Sequence, residues 1–340
     1  MSKVLITGSS GFIGGYVVSE LLKQGHQVVG VDNLSKYGKV IRNFDESENF
    51  HFVQGDARDT EVLTELLADC DHLIAGAALI GGISYFHEYA YDLLAQNERI
   101  IAATCDAAIA AHRQGSLKKV TYLSSSMVFE STDRWPSVEG DQRLVPPPLS
   151  SYGFQKLAVE YFAQAAWDQY QLPFTIVRPF NCVGIGEVRA LGEAQVESGS
   201  VKLAMSHVVP DLVQKVVKGQ DPLHLLGDGS QVRHYTYGED LAKGIVACMS
   251  HEQALNEDFN ISTPQSTTVL ELAENIWNRI NTDKPFNYTS DAPFEHDVQK
   301  RVPSVEKAKD VLGFECTTTL DDMLDTVVPW IIQAVDEGLI

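Results

Sequence analysis

Positive charge is scarce in this chain. Of its 340 residues only 26 are lysine or arginine, against 46 aspartates and glutamates, for a formal net charge of −20 at pH 7. Affinity for a polyphosphate or an anionic membrane surface comes from lysine and arginine, so neither a nucleic acid nor a membrane is an expected partner. An anionic small molecule would have to be met by locally placed cations. Cysteine is scarce too: Cys70, Cys105, Cys182, Cys248 and Cys316 are scattered, odd in number and without a CxxC pair. That opposes a disulfide framework or a zinc site, so no metal is expected, and it fits a reducing compartment. No apolar run reaches the roughly 18 residues that suggest a membrane helix. A core strand begins almost at residue 1, which is expected to leave no room for a signal peptide. The cytoplasm is the expected location. Internal repeats and low-complexity tracts are lacking as well.

What is present is ordinary globular material, 44% hydrophobic and 21% charged, and long enough for a large α/β domain with a smaller lobe or for two domains. The organising stretch is Lys3-Val-Leu-Ile-Thr-Gly-Ser-Ser-Gly-Phe-Ile-Gly-Gly15. Val4, Leu5 and Ile6 read as a strand buried on both faces, and residues 16–24 as an amphipathic helix stopped at Gly25. Gly8, Gly11 and Gly14 between them allow a tight turn, close approach of main-chain N–H groups to a pyrophosphate, and close packing of helix on sheet. A second buried-strand pattern, Val28-Val-Gly-Val-Asp32, ends in an acid about 20 residues past the glycines, where a carboxylate accepts ribose hydroxyls. The charge of Asp32 would repel the extra phosphate of NADP, so NAD is the expected cofactor.

Further strands are expected over residues 50–56, 72–75, 119–124 and 174–178, with helices over 61–67, 95–111 and 152–170. This alternation implies a parallel, doubly wound sheet. Residues 33–49 read as a loop with a short helix. Gly55-Asp56 could meet an adenine or simply close a strand. Small residues at 76–82 follow a strand end, where ligands sit in open parallel sheets. From Gly184 the rhythm breaks into a loop over 184–206 and a helix over 208–218 begun near Pro210; residues 258–262 look like a strand returning to the main sheet. The expected division is a dinucleotide-binding Rossmann domain over 1–183, rejoined by 236–265, and a smaller C-terminal α/β lobe over 184–235 and 266–340 that holds substrate.

Tyr152 and Lys156 stand one helical turn apart. A nearby ammonium favours the phenolate, which lowers the tyrosine pKa from about 10 and makes a general base usable near neutral pH. Such a pair also decorates solvated helix faces. The serine run Ser124-Ser-Ser126 at a preceding strand end singles it out, since a sheet can bring both segments to one crevice beside a nicotinamide.

Together these motifs resemble the extended short-chain dehydrogenase/reductases, in their nucleotide-sugar epimerase/dehydratase branch. The resemblance rests on Thr7-Gly-Ser-Ser-Gly-Phe-Ile-Gly14, Asp32-Asn-Leu-Ser35, Gly55-Asp56, Ser124-Ser-Ser-Met-Val-Phe129, Tyr152-Gly-Phe-Gln-Lys156, Arg178-Pro-Phe-Asn-Cys-Val-Gly184 and Leu226-Gly-Asp-Gly-Ser-Gln-Val-Arg233. It implies Tyr152 as base, Lys156 as its pKa partner and ribose ligand, and Ser125 as the hydroxyl that orients the sugar 4-OH. Cofactor contacts are implied at Gly8, Gly11, Phe12, Ile13, Gly14, Asp32, Asn33, Asp56, Ala57 and Ala77. Substrate contacts are implied at Ser125, Ser126, Asn181, His207, Val208, Arg233 and Arg301. Arg233 suits a diphosphate, a double anion that a bidentate fork can hold. Asn97 is expected to be structural, bridging helix and sheet.

Departures from the family pattern shape the reaction. Met127 stands where the related 4,6-dehydratases and decarboxylases carry a glutamate and the 3,5-epimerases a cysteine; a thioether cannot move a proton at a sugar carbon. His207, in Ser206-His-Val-Val-Pro210, lacks the cysteine partner of the GDP-fucose synthases and reads as a substrate-loop or packing residue. The segment after the fourth strand reads Ala75-Gly-Ala-Ala78, and Arg301 is followed by Val-Pro-Ser. The resemblance thus implies an NAD-dependent 4-epimerase of a UDP-hexose or UDP-hexuronate, working through a transient 4-keto sugar as a homodimer paired through the helices starting near Ala95 and Tyr152. The rivals are a dehydratase, decarboxylase or 4-keto reductase with an extra group from His207 or Glu187, and a non-catalytic dinucleotide sensor, which has no need of Tyr152 with Lys156.

Overall fold

The structure, a computed structural model, describes residues 1–80, 89–191, 196–203, 207–292 and 298–340. Seven parallel strands form the central sheet: β1 (Lys3–Thr7), β2 (Gln27–Asp32), β3 (Phe50–Gln54), β4 (His72–Ala75), β5 (Lys119–Leu123), β6 (Phe174–Pro179) and β7 (Glu257–Ile261). Their order is β7-β6-β5-β4-β1-β2-β3. The chain reverses its direction of travel between β1 and β4, and a crevice opens at their C-terminal ends. Val4, Leu5 and Ile6 are wholly buried, because helices cover both faces.

One face carries α2 (Thr60–Leu67), α3 (Ala90–Gln114) and α4 (Ser151–Tyr170), whose apolar sides close a core with Leu5, Leu73 and Tyr122. On the other, α1 (Phe12–Lys23) packs with Val4, Ile6 and Ile245. Local signals fix the helix ends. Asp59 accepts the N–H groups of Glu61 and Val62 to start α2, and Ser150 accepts that of Gly153 to start α4. Gly115, at φ +86°, ends α3 in the left-handed conformation.

A second core lies off the sheet. It joins α5 (Val208–Val217), α7 (Val269–Ile280) and α9 (Leu320–Asp336), through Leu212, Val213, Leu272 and Leu324, to a short strand at Leu223–Leu226. Between α5 and α7 in sequence, α6 (Gly238–Ser250) returns to the sheet and packs on α1, and α8 (Glu306–Leu312) lies beside β7.

Two local expectations are corrected. Residues 33–49 form turns and no helix; the carboxylate of Asp32 and the amide oxygen of Asn33 accept the N–H groups of Leu34 and Ser35, a competition that short polar side chains win in a segment without apolar periodicity. The 184–206 stretch holds more than loop, since Val196–Ser198 and Val201–Leu203 pair as a hairpin about Gly199, at φ +56°. The helix expected over 208–218 runs from Val208 to Val217, with the proline in its first turn, where a missing N–H costs no bond. Residues 192–195, 204–206 and Gly81-Gly82 of the small-residue stretch lie outside the described residues, as does Ser206 of the His207 segment.

Candidate active site

A cleft of about 1670 Å³ runs from the C-terminal ends of the central strands to α5 and the Leu223–Leu226 strand. Each residue singled out for cofactor, catalysis or substrate lies on its wall, including Phe12, Ile13, Ala57, Ser126 and Val208.

At one end is the glycine turn. Gly8 adopts φ +77°, and a Cβ there would lie 3.0 Å from the main chain of Ala77. A Cβ on Gly14 would lie 2.0 Å from the carbonyl oxygen of Gly8, closer than any side chain permits. Thr7 locks the facing loop, its hydroxyl accepting the N–H groups of Gly76 and Ala77 at 3.1 and 3.0 Å. Asp32 braces the turn itself by accepting from Ser10 N–H at 3.1 Å and Leu34 N–H at 2.8 Å. A carboxylate has about four acceptor sites, so two remain for ribose hydroxyls. Arg58 grips Asp56 at both oxygens, 2.9 and 2.5 Å, and holds that carboxyl well below its usual range; Asn33 adds a bond of 3.4 Å. Asn97 is structural, exchanging two bonds with the main chain of Leu79 at 2.7 and 2.9 Å.

At the centre, β5 delivers Ser125 and α4 delivers Tyr152 and Lys156. Ser125 starts a short 3-10 turn, Ser126–Phe129, by accepting the N–H of Met127 at 3.2 Å. Ser124 points away: its hydroxyl donates to Glu160 at 2.6 Å and to the carbonyl of Lys156 at 3.3 Å. Lys156 is buried, donates to the carbonyl of Leu123 at 3.0 Å, and burial pulls its pKa down to about 8. The ammonium lies 6.0 Å from the centroid of the Tyr152 ring. Contrary to the expected lowering, burial pushes the Tyr152 phenol above its ordinary pKa; the Ser125 hydroxyl and the charge of Arg301 pull it part of the way back. Desolvation of the phenol outweighs a lysine already turned to a carbonyl.

The far wall carries the cations. Val232 N–H donates to Gln299 O at 2.8 Å and Arg301 N–H to Val232 O at 3.1 Å, which sets Arg233 and Arg301 on adjoining backbones. The Arg233 guanidinium donates to the carbonyls of Val232 and Gln299 at 2.9 and 3.3 Å. Asp240 belongs to another network, accepting from Lys243 and from the main chain of Thr317 and Thr318. Asn181, at φ +38°, turns its amide to the carbonyl of His234 at 3.3 Å. His207 pairs through Nδ1 with the buried carboxylate of Glu187, which raises its pKa.

Sequence reasoning missed Glu130, Lys36, Lys215 and His224, which also line the cleft. They fall in no motif; only the fold brings them in. Lys215 donates to the carbonyl of His224 at 2.8 Å, and the His224 ring pairs with Asp291 at 2.9 Å. Among the described residues no helix is long and apolar enough to cross a membrane.

A family model described as the NAD dependent epimerase/dehydratase family matches residues 4–262. The chain belongs to that family. This epimerase/dehydratase is 25% identical to a UDP-glucose 4-epimerase of Lactobacillus helveticus, over 96% of each chain. It is 27% identical to a UDP-N-acetyl-alpha-D-glucosaminuronate decarboxylase of Bacillus cytotoxicus, over 96% of this chain and 97% of the other. In three dimensions it resembles the UDP-glucose 4-epimerase of Thermotoga maritima, solved with UDP-glucose. That match has a TM-score of 0.80 and 26% identity, over 98% of this chain and 99% of the other. The cofactor of this epimerase/dehydratase is NAD, and solved structures of similar fold contain it. The glycine cradle, tight enough to forbid a Cβ at Gly14 and edged by Asp32, fits that group.

Proposed function

We propose that this family member is a nucleotide-sugar epimerase that inverts C4 of a UDP-hexose or UDP-hexuronate. The observation that carries the reading is the convergence of Ser125, Tyr152 and Lys156 on the cleft whose two ends hold the glycine cradle and the paired arginines. NAD, held by Gly8, Gly11, Gly14 and Asp32, supplies a reversible hydride acceptor when bound. The chain's own residues do the rest. Ser125 orients the sugar 4-OH, and Tyr152 takes its proton and later returns it. Lys156 places a charge beneath the phenol and a donor beside the nicotinamide ribose. Arg233 and Arg301 hold the diphosphate while the hexose ring of the 4-keto sugar turns over. One proton donor suffices for that sequence, which agrees with the buried thioether of Met127.

Dehydration and decarboxylation need a further acid or base, and the decarboxylase relative keeps that reading alive through His207 with Glu187. Incubation with NAD and a panel of nucleotide sugars, followed by NMR and mass spectrometry, decides. An inverted C4 at unchanged mass is expected; a product lighter by water or carbon dioxide transfers the assignment. The same reading places the nucleotide end of the substrate against the second core, in a lobe over 184–235 and 266–340. It also places a cytoplasmic homodimer on α3 and α4, where Tyr91, Phe154 and Tyr161 are exposed, to be measured by sedimentation.

A further inference from the structure

We propose that Glu130 makes the sugar end of the cleft selective for a neutral hexose over a hexuronate, an inference that rests on the nucleotide-sugar reading above. Glu130 closes the 3-10 turn that Ser125 opens, and it lines the cleft. Its Oε2 accepts both the main-chain N–H and the hydroxyl of Ser150, each at 2.9 Å. Ser150 in turn accepts the N–H of Gly153 at 3.0 Å. The carboxylate is thereby anchored two residues from Tyr152, on the wall that Ser125 shares.

Its place is tightly set. A Cβ on Gly153 would meet Glu130 Oε2 at 2.9 Å, the carbonyl of Met127 at 2.8 Å and the Pro148 side chain at 2.6 Å, so the turn, the proline loop and α4 are in close contact there. Among the described residues no cation pairs with Glu130, and no group donates to its Oε1. Three cations of the cleft are engaged elsewhere: Arg58 with Asp56, Lys156 with the Leu123 carbonyl, Lys215 with the His224 carbonyl. A fixed carboxylate on the cleft lining at the start of α4 accepts hydrogen bonds from the hydroxyls of a neutral sugar. It repels a uronate carboxylate, and in a sheltered cleft like charges are costly.

Glu130 also fastens the start of α4, and the substitution must separate the two roles. Glu130→Gln keeps an acceptor of the same shape for both Ser150 donors and removes only the charge. The experiment compares kcat/KM for a UDP-hexose and the matching UDP-hexuronate in the wild-type and Glu130→Gln proteins with NAD. The wild type is expected to favour the neutral sugar at least about tenfold, and the glutamine variant to raise the hexuronate-to-hexose ratio at least about tenfold, the scale of a modest like-charge penalty. An unchanged ratio in the variant, or a wild type that prefers the hexuronate, overturns the proposal. If neither sugar is turned over, the epimerase reading fails by itself. Calorimetric titration of both nucleotide sugars into the NAD-loaded proteins then decides the charge question: equal wild-type affinities, or no shift in the variant, overturn it, and a preference for the neutral sugar that glutamine erases upholds it.

Discussion

Glu160 and Arg178 face each other beneath the end of β5, joined at two points by bonds of 2.7 and 2.8 Å, and both are buried. The pair also receives Ser124 and Gln142 on the carboxylate and Asp258 on the guanidinium, at 2.6, 3.0 and 2.7 Å. It therefore ties β5, α4 and β6, the three elements that deliver Ser125, Tyr152, Lys156 and Asn181. Removing one partner leaves the other buried and uncompensated, which costs about 3–5 kcal/mol. Arg178→Ala, which leaves the buried Glu160 only the neutral donors Ser124 and Gln142 while Asp258 keeps Lys307, is expected to lose about that much in urea unfolding. A loss under about 1 kcal/mol would show that the network is dispensable.

The cradle makes a sharper claim about the cofactor. Gly14→Ala must displace the carbonyl of Gly8, 2.0 Å from the new methyl, and so distort the turn that faces the pyrophosphate. Calorimetry is expected to show NAD affinity lowered by at least about a hundredfold, the effect of losing a pair of charge-assisted bonds. Wild-type protein is expected to bind NAD well ahead of NADP because Asp32 repels the extra phosphate. Equal binding of the two would remove Asp32 from that role.

How far the sequence carried can be read from these residues. Strand and helix positions were legible because buried β-branched runs, glycine stops and Asp or Ser caps are local signals. Residues 72–75 and the Gly8-Gly11-Gly14 turn needed nothing more. The sign of the Tyr152 shift was not legible: it depends on desolvation, which the fold creates, and on where the Lys156 ammonium points, which the carbonyl of Leu123 decides. Glu130 escaped for the same reason. No spacing in the chain announces that a residue at the end of a 3-10 turn will meet Ser150, 20 positions on.

The base of the sheet sets an acid limit on stability. His72 is desolvated and stands near Lys119, Lys118 and His26, an unfavourable setting that Asp71 only partly offsets, and its pKa falls from 6.5 to about 4. The unfolded chain therefore binds more protons than the folded one between those values, and stability rises with pH across that window. Its contribution is complete above about 6.5 and is lost as pH falls toward 4. Thermal melts of His72→Gln, whose side chain does not titrate there, are expected to fall less steeply over that range than wild type. Parallel curves would show that other groups set the limit.

Activity should carry two titrations of opposite sense. Tyr152 works as a base, and its raised pKa in the free protein means that kcat/KM climbs with pH. Lys156 loses its charge at about 8, so the climb is expected to break near that pH. Lys156→Arg keeps the charge and should move the break upward. Tyr152→Phe should lower turnover by about 10² or more, the scale of a positioned proton-transfer group, with NAD affinity nearly intact. Near-normal turnover in folded Tyr152→Phe protein would remove Tyr152 from the chemistry.

A protein of formal charge −20 repels a nucleotide sugar at long range, so cations at contact distance must win it back. Arg233 and Arg301 sit on adjoining backbones of the far wall, and Asp240, a carboxylate close to Arg233 in sequence, is committed to Lys243 and to the Thr317 and Thr318 main chain. Arg233→Ala is expected to raise KM about ten- to a hundredfold, because a sheltered phosphate oxygen loses a charge-assisted bond worth about 1.5–3 kcal/mol. Arg233→Lys should recover only part of this, since an ammonium lacks the planar fork. The guanidinium also holds the carbonyls of Val232 and Gln299, so a scaffolding role must be told apart from a binding one. Melting temperature and KM do so together: a Tm that collapses in Arg233→Ala while KM in the surviving folded enzyme stays put would show that Arg233 supports the wall and does not grip the diphosphate.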